Sequence, residues 1–303
     1  MTGTCYQVMH DTHYAYDAPV SLAKQLAHLW PRPCAWQLCR NQSLEVSPLP
    51  TQRIDEYDVF GNPLTRLAFE RPHDALTVKA RLEVEVLPRR APDMRLSPAW
   101  EMARDSLCYS GQPMPRDLLK ACRFRFESPF IRLKKHFVAF ADSCFPANMP
   151  LLEGAQVLMG KIFNEFTYDA NATGVATPLL EVLEQRRGVC QDFAHLMIAC
   201  LRSRGLAARY VSGYLLTQPP PGKPRLIGAD ASHAWVAVYC PANGWVEFDP
   251  TNNVRPGLGH VTLAWGRDFS DVSPLRGVIL GGGSHDPEVQ VTVTPIEETL
   301  PTA

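Results

Sequence analysis

Cys190 stands in RRGVCQDFAH, just after a glycine and at the start of a stretch with helical periodicity. Thiolate is the reactive form of cysteine, so a residue here could attack a carbonyl, ligate a metal or simply pack as a small apolar side chain. On a helix beginning near Cys190, positions 190, 193, 194, 197, 198 and 201 are Cys, Phe, Ala, Met, Ile and Leu, which form one apolar stripe. The thiol then sits on the interior-facing side at the positive end of the helix, where backbone N–H groups and the macrodipole favour an anion. An imidazolium beside a thiol in such a place can lower its pKa from about 8.5 to about 3 or 4.

Metal ligation fits the spacing poorly. Cys190, His195 and Cys200 are five residues apart, and successive steps of five rotate by about 140° around a helix, scattering the three. There is no CxxC pair, and Cys34 and Cys39 have no matching His or Cys pair downstream. Neither a metal site nor a cofactor is expected. Cys5, Cys34, Cys39, Cys108, Cys122, Cys144, Cys200 and Cys240 are read as packing residues.

A nucleophilic thiol needs a base, and the base needs an orienting acceptor. His195 projects about 140° from Cys190 on the same helix and is expected at its surface or at an interface. The strand text SHAWVAVY places His233, Trp235, Ala237 and Tyr239 on one face, and WVEFDP places Trp245, Glu247 and Asp249 on one face of its hairpin partner. With Asn243-Gly244 as a two-residue turn, Ala242 would oppose Trp245 and Val238 would oppose Asp249, leaving His233 beyond the strand's mate. Either the turn is longer, since Pro241 disfavours regular pairing, or another connection brings the two together. On the residues alone, His233 reads first as a packed core or strand histidine, and Asp249 is equally a turn-initiating aspartate before Pro250.

The elements that must position these residues divide the chain of 303 residues. Residues 1–90 read as a β domain: Val78, Ala80, Leu82, Val84 and Val86 alternate with charged neighbours, and Tyr16-Asp17-Ala18-Pro19 and Phe60-Gly61-Asn62-Pro63 are turn signals. Residues 91–150 form a linker and helical segment, 151–265 the core, and 266–303 a tail with one strand. Leu151 to Phe166 carries an apolar helical stripe. A second helix is expected to open at Thr177-Pro178 and stop at Gly188, and a third to run from Cys190 to Gly205. Strands follow at 208–216, 232–239 and 245–249, with the Pro-rich loop TQPPPGKPRLIGADA before His233 as a candidate lid.

A formal net charge of −1 gives no electrostatic footprint for nucleic acid or an anionic membrane. The start lacks the basic flank and apolar run of a secretory signal, and no later run is long enough to span a membrane. Nine cysteines without a signal read as reduced thiols, and the cytoplasm is the expected address.

Taken together, RRGVCQDFAHLMIACLRSRGLAARYVSGY, DASHAWVAVY and GWVEFDPTNN, preceded by YQVMHDTHYAYDAPV, DVFGNP and RPHDALTVKARLEVEVLP, resemble the transglutaminase-like superfamily of papain-like cysteine fold, in its bacterial form with an N-terminal β domain. The three core motifs come in order, with His233 43 residues after Cys190 and Asp249 16 after that. The resemblance implies an α+β protein: an antiparallel β domain, then a core with the nucleophile at a helix N-terminus packed on an antiparallel sheet. It also implies Cys190 as nucleophile, His233 as general base and acid, and Asp249 as the residue orienting the imidazole. The backbone N–H of Cys190 would be the first oxyanion donor. The expected activity is cleavage of a peptide or isopeptide amide through a thioester, with a peptide or protein substrate. Transamidation by the same triad is the alternative and a non-catalytic binding module the third reading. The oligomeric state is left open.

Overall fold

The computed structural model describes residues 3–174, 177–216, 232–284 and 286–296. The architecture is α+β, as the family resemblance implies, built on two antiparallel sheets that share one hydrophobic core.

The first sheet is centred on β1 (Thr4–Ala27), flanked in chain order by β2 (Gln37–Ser47), β3 (Gln52–Tyr57), β4 (Pro63–Phe69) and β5 (His73–Val86) in the arrangement β2-β5-β1-β4-β3. The alternation in β5 is that of a strand with one face in the core: Val78, Ala80, Leu82, Val84 and Val86 are all buried. Tyr16-Asp17-Ala18-Pro19 is not a turn. β1 runs through it, and the irregularity is confined to a register shift against β5 between Ala15 and Val20. Phe60-Gly61-Asn62-Pro63 does turn, between β3 and β4.

Four helices follow: α1 (Trp100–Ser106), α2 (Arg116–Cys122), α3 (Lys135–Ala141) and α4 (Leu151–Glu165), the last burying Leu151, Leu152, Ala155, Leu158, Met159 and Ile162. After the short β6 (Thr167–Tyr168) comes α5 (Leu179–Gln185), shorter than expected at both ends. It begins after Pro178 and is stopped by Arg186 in the left-handed region (φ 56°), so that β7 (Arg187–Gly188) can pair with β6 before α6 (Cys190–Ser203) begins.

The core sheet, in the order β10-β9-β8-β11, comprises β8 (Ala208–Leu215), β9 (Ser232–Cys240), β10 (Gly244–Phe248) and β11 (His260–Gly266). Helix α6 packs against β8 and β9 and is buried from Asp192 to Arg202. After α7 (Phe269–Val272), strands β12 (Leu275–Gly281) and β13 (Glu288–Pro295) both return to pair with β1. Side chains join the sheets as well, among them the buried 2.8 Å hydrogen bond between His10 Nδ1 and Tyr214 Oη. All nine cysteines are free.

Candidate active site

Cys190 opens α6, and the local sequence fixes that helix start. The Asp192 carboxylate accepts the Val189 N–H (2.9 Å) and the Thr173 hydroxyl (2.6 Å), using one of the helix's orphan donors. Gly188 makes the approach feasible, because a Cβ there would lie 2.6 Å from Asp192 Oδ2. The thiol is partly buried, with Sγ 4.0 Å from the Ser232 carbonyl at the start of β9.

The β9–β10 hairpin supplies the other two residues, through a turn longer than two residues. Gly244 pairs with Cys240, Trp245 with Tyr239 and Phe248 with Val236, so Pro241, Ala242 and Asn243 form the turn. Carried one residue on, this register sets Asp249 opposite Trp235 and diagonal to His233 on the same face, a separation that side chains bridge. His233 Nε2 donates to Asp249 Oδ2 at 2.8 Å. The ring's other nitrogen is left for Cys190, with which His233 is within hydrogen-bonding reach.

Asp249 has no exposed surface and is surrounded by donors. Its Oδ2 also accepts Asn252 Nδ2 at 2.7 Å and His260 Nε2 at 3.2 Å, while Oδ1 accepts the backbone N–H groups of Thr251 (3.0 Å) and Asn252 (3.3 Å). Burial pushes the carboxyl upward, but hydrogen bonds from His233, His260 and Asn252 prevail and hold it well below the usual carboxylate range. For His233, burial opposes the charge. The Asp249 hydrogen bond and the Cys190 contact outweigh it, and the imidazole is pushed up to about 10.

His260 was not singled out in the sequence. The Gly257 N–H donates to its Nδ1 at 3.4 Å, so the neutral ring carries its proton on Nε2, facing Asp249. Burial holds its pKa below the ordinary value in spite of the Asp249 hydrogen bond. The fully buried Trp235 packs edge-on against His260 (5.3 Å, 85°) and donates Nε1–H to Glu247 Oε2 at 3.0 Å. Tyr168, exposed on β6, lies close enough that charge on Cys190 adds to burial in raising its pKa.

His195, expected at the helix surface or at an interface, is buried where α6 meets Phe130 and Phe269. Its Nε2 accepts the Phe269 N–H at 3.1 Å, its ring stacks on Phe130 at 5.7 Å, and burial lowers its pKa to about 4. The proposed lid, residues 217–231, lies outside the described residues. His233, Asp249 and His260 bring one donor atom each within 4.8 Å of one another, the one such set of three found among the described residues. Asp249 Oδ2 already accepts three N–H groups, and a cation there would face those protons. The arrangement can hold a protonated imidazole between a thiol and a buried carboxylate, which is what acyl transfer through sulfur requires.

Among the described residues no helix is long and apolar enough to cross a membrane. The family profile described as the bacterial transglutaminase-like N-terminal region matches residues 6–85, and that of the transglutaminase-like superfamily matches 139–250. The uncharacterized protein Rv2569c of Mycobacterium tuberculosis is 37% identical over 300 residues, covering 96% of this chain and 93% of its own. The protein-glutamine gamma-glutamyltransferase of Pseudomonas aeruginosa is 30% identical over 136 residues, 40% of this chain and 20% of that protein. A crystal structure of a candidate cysteine protease from Cytophaga hutchinsonii superposes with a TM-score of 0.76 at 21% identity, covering 99% of this chain and 93% of that one. With its core motifs in order, both family profiles matched and its mycobacterial relative aligned nearly end to end, this chain belongs to the transglutaminase-like superfamily and carries the bacterial type of N-terminal region.

Proposed function

We propose that the protein is a cysteine-dependent amide hydrolase acting on a peptide or protein, with Cys190 as nucleophile, His233 as general acid and base and Asp249 as orienting carboxylate. The observation that carries this reading is the bridging position of His233, bonded to Asp249 at 2.8 Å and within reach of Cys190.

The thiolate of Cys190 attacks the amide carbonyl carbon and forms the S–C bond. The carbonyl oxygen takes up the negative charge beside the N-terminus of α6, where the Cys190 N–H is available. One such donor is worth about 3 to 4 kcal/mol in the transition state. His233 passes its proton to the leaving nitrogen as the C–N bond breaks, and a thioester remains on sulfur. Water then gives a proton to His233 and attacks the thioester carbon, the S–C bond breaks, the acid leaves, and Cys190 returns as thiolate beside protonated His233. An amine in place of water gives transamidation, the reaction named for the Pseudomonas relative. Hydrolysis is preferred because water needs no groove for a second substrate. Nine free cysteines fit a reducing compartment, and we place the enzyme in the cytoplasm.

The test is incubation with an amide-peptide library, with and without a primary amine, and intact-mass detection of an acyl adduct on Cys190. Hydrolysis that vanishes in Cys190→Ala, with the adduct present in the wild type, is expected. Amine-dependent product without hydrolysis assigns the transamidase. Absence of both product and adduct leaves a binding module and overturns the proposal.

A further inference from the structure

The core sheet treats its two edges differently. On β11 the outer edge is covered by side-chain amides. Gln37 donates to the Thr262 carbonyl (2.6 Å) and accepts its N–H (2.9 Å), and Asn62 does the same at Trp265 (2.9 and 3.0 Å). Covering an edge in this way removes a site where another strand could add. On β10 no such cover exists: among the described residues, its backbone from Trp245 to Phe248 pairs with β9 and has no partner on the outer side.

The segment that follows β5 runs past this open edge. It is pinned at the hairpin end, where the Asp93 N–H donates to Asn243 Oδ1 (2.8 Å) and Asn243 Nδ2 donates to the Asp93 carbonyl (3.2 Å). Between segment and strand lies a cavity of about 640 Å³. Its lining includes Trp245, Val246 and Glu247 in succession. Successive side chains of a strand point to opposite faces, so a cavity that touches all three reaches the strand's edge.

The charge at this edge is positive. Arg89, Arg90 and Arg255 line the cavity. Arg89 is spent on Glu247, and Asp93 on Arg95. Arg90 and Arg255 have no carboxylate partner among the described residues, and Arg255 rests on Gln156 Oε1 at 2.9 Å. We propose that this slot binds an extended acidic peptide, which adds to β10 as a fifth strand and sets its carboxylates against Arg90 and Arg255.

The test measures binding in the Cys190→Ser protein, so its outcome does not depend on which reaction, if any, the triad performs. A fluorescein-labelled peptide of alternating Glu and Val is followed by fluorescence polarisation at low salt. Saturable binding is expected, weakened about tenfold or more by combined Arg90→Glu and Arg255→Glu, both exposed positions, and about tenfold or more when Lys replaces Glu in the peptide. Two further peptides, N-methylated on one or the other alternate set of residues, separate strand pairing from simple charge attraction. One set should lose about tenfold and the other should bind as the parent does. Absence of binding by the parent peptide, an unchanged affinity in the arginine variant, or equal binding by both methylated peptides overturns the proposal. So does equally tight binding of a single acetylated glutamate, which would reveal a small-anion site instead.

Discussion

His260 aims its Nε2–H at the same Asp249 oxygen that His233 uses, from 3.2 Å against 2.8 Å. The carboxylate is thus held between a ring that gains a proton and one that burial keeps neutral. A hydrogen bond to a charged group is worth about 1.5 to 3 kcal/mol. His260→Ala should therefore lower kcat/KM for amide cleavage by roughly tenfold or more. With one donor fewer, Asp249 binds the His233 proton more tightly, and the His233 limb of the pH profile should move upward. His260→Gln, which keeps an N–H donor, should recover much of the rate. Equal kcat/KM and an unmoved profile in His260→Ala would show that it does not position Asp249.

The same pair should leave its mark on stability. His233 is raised from 6.5 to about 10, so its contribution is whole below 6.5 and is lost as pH rises through about 10. Asp249 is lowered from 3.8, so its contribution is whole above that value and is lost as pH falls toward its lower folded value. Both are fully present between about pH 4 and 6.5. Urea unfolding of wild type and His233→Gln should differ most in that window, and the gap should narrow from pH 6.5 to 10. A gap constant with pH would contradict the assignment of the charge to His233.

Short-range pattern made some of this legible and hid the rest. The apolar stripe from Cys190 to Leu201 and the alternation from Val78 to Val86 are local periodicities, and both elements form where the pattern puts them. The strand through Asp17 and Pro19 was hidden because turn chemistry reports only a local break. β5 absorbs that break as a register shift, while β12, far away in sequence, pairs with the next stretch of β1, from Val20 opposite Gly281 to Ala27 opposite Leu275. The three-residue turn at Pro241 could not be read from Asn-Gly, whose two-residue preference gives the wrong register. Helix geometry alone left His195 at a surface or an interface, because the partners that bury it, Phe130 and Phe269, are brought in by the fold. His260 had no motif of its own. The nearest signal is the turn-rich PGLG before it, which folds β11 back onto Asp249.

Cys190 should stand apart from the other thiols in reactivity. Cys200 is fully buried, and burial raises its pKa strongly, whereas Cys108 is exposed and serves as the internal reference. Brief treatment with iodoacetamide at pH 6, followed by peptide mapping, should label Cys190 about tenfold or more faster than Cys108, since thiolate is the nucleophile and an imidazolium at His233 supports it. His233→Ala should bring the two rates together. If Cys190 reacts no faster than Cys108 in the wild type, it is not an activated thiol.

Gly213 pairs with His233 across the β8–β9 ladder, and its missing side chain is what lets the neighbouring groups close in. A Cβ there would run into the Val261 carbonyl and come within 2.5 Å of the Trp235 ring. The carbonyl belongs to the β8–β11 pairing and cannot swing aside as a side chain could. Gly213→Ala should therefore destabilise the protein by about 1 to 3 kcal/mol, the usual range for overpacking, seen as a lower urea midpoint. Because the displaced Trp235 packs on His260, which in turn bonds Asp249, kcat/KM at permissive temperature should fall as well. Trimming the ring with Trp235→Phe should not restore stability in the double variant, since the carbonyl clash remains. A double variant as stable as Trp235→Phe alone would show that the ring, and not the backbone of β11, demands glycine at this position.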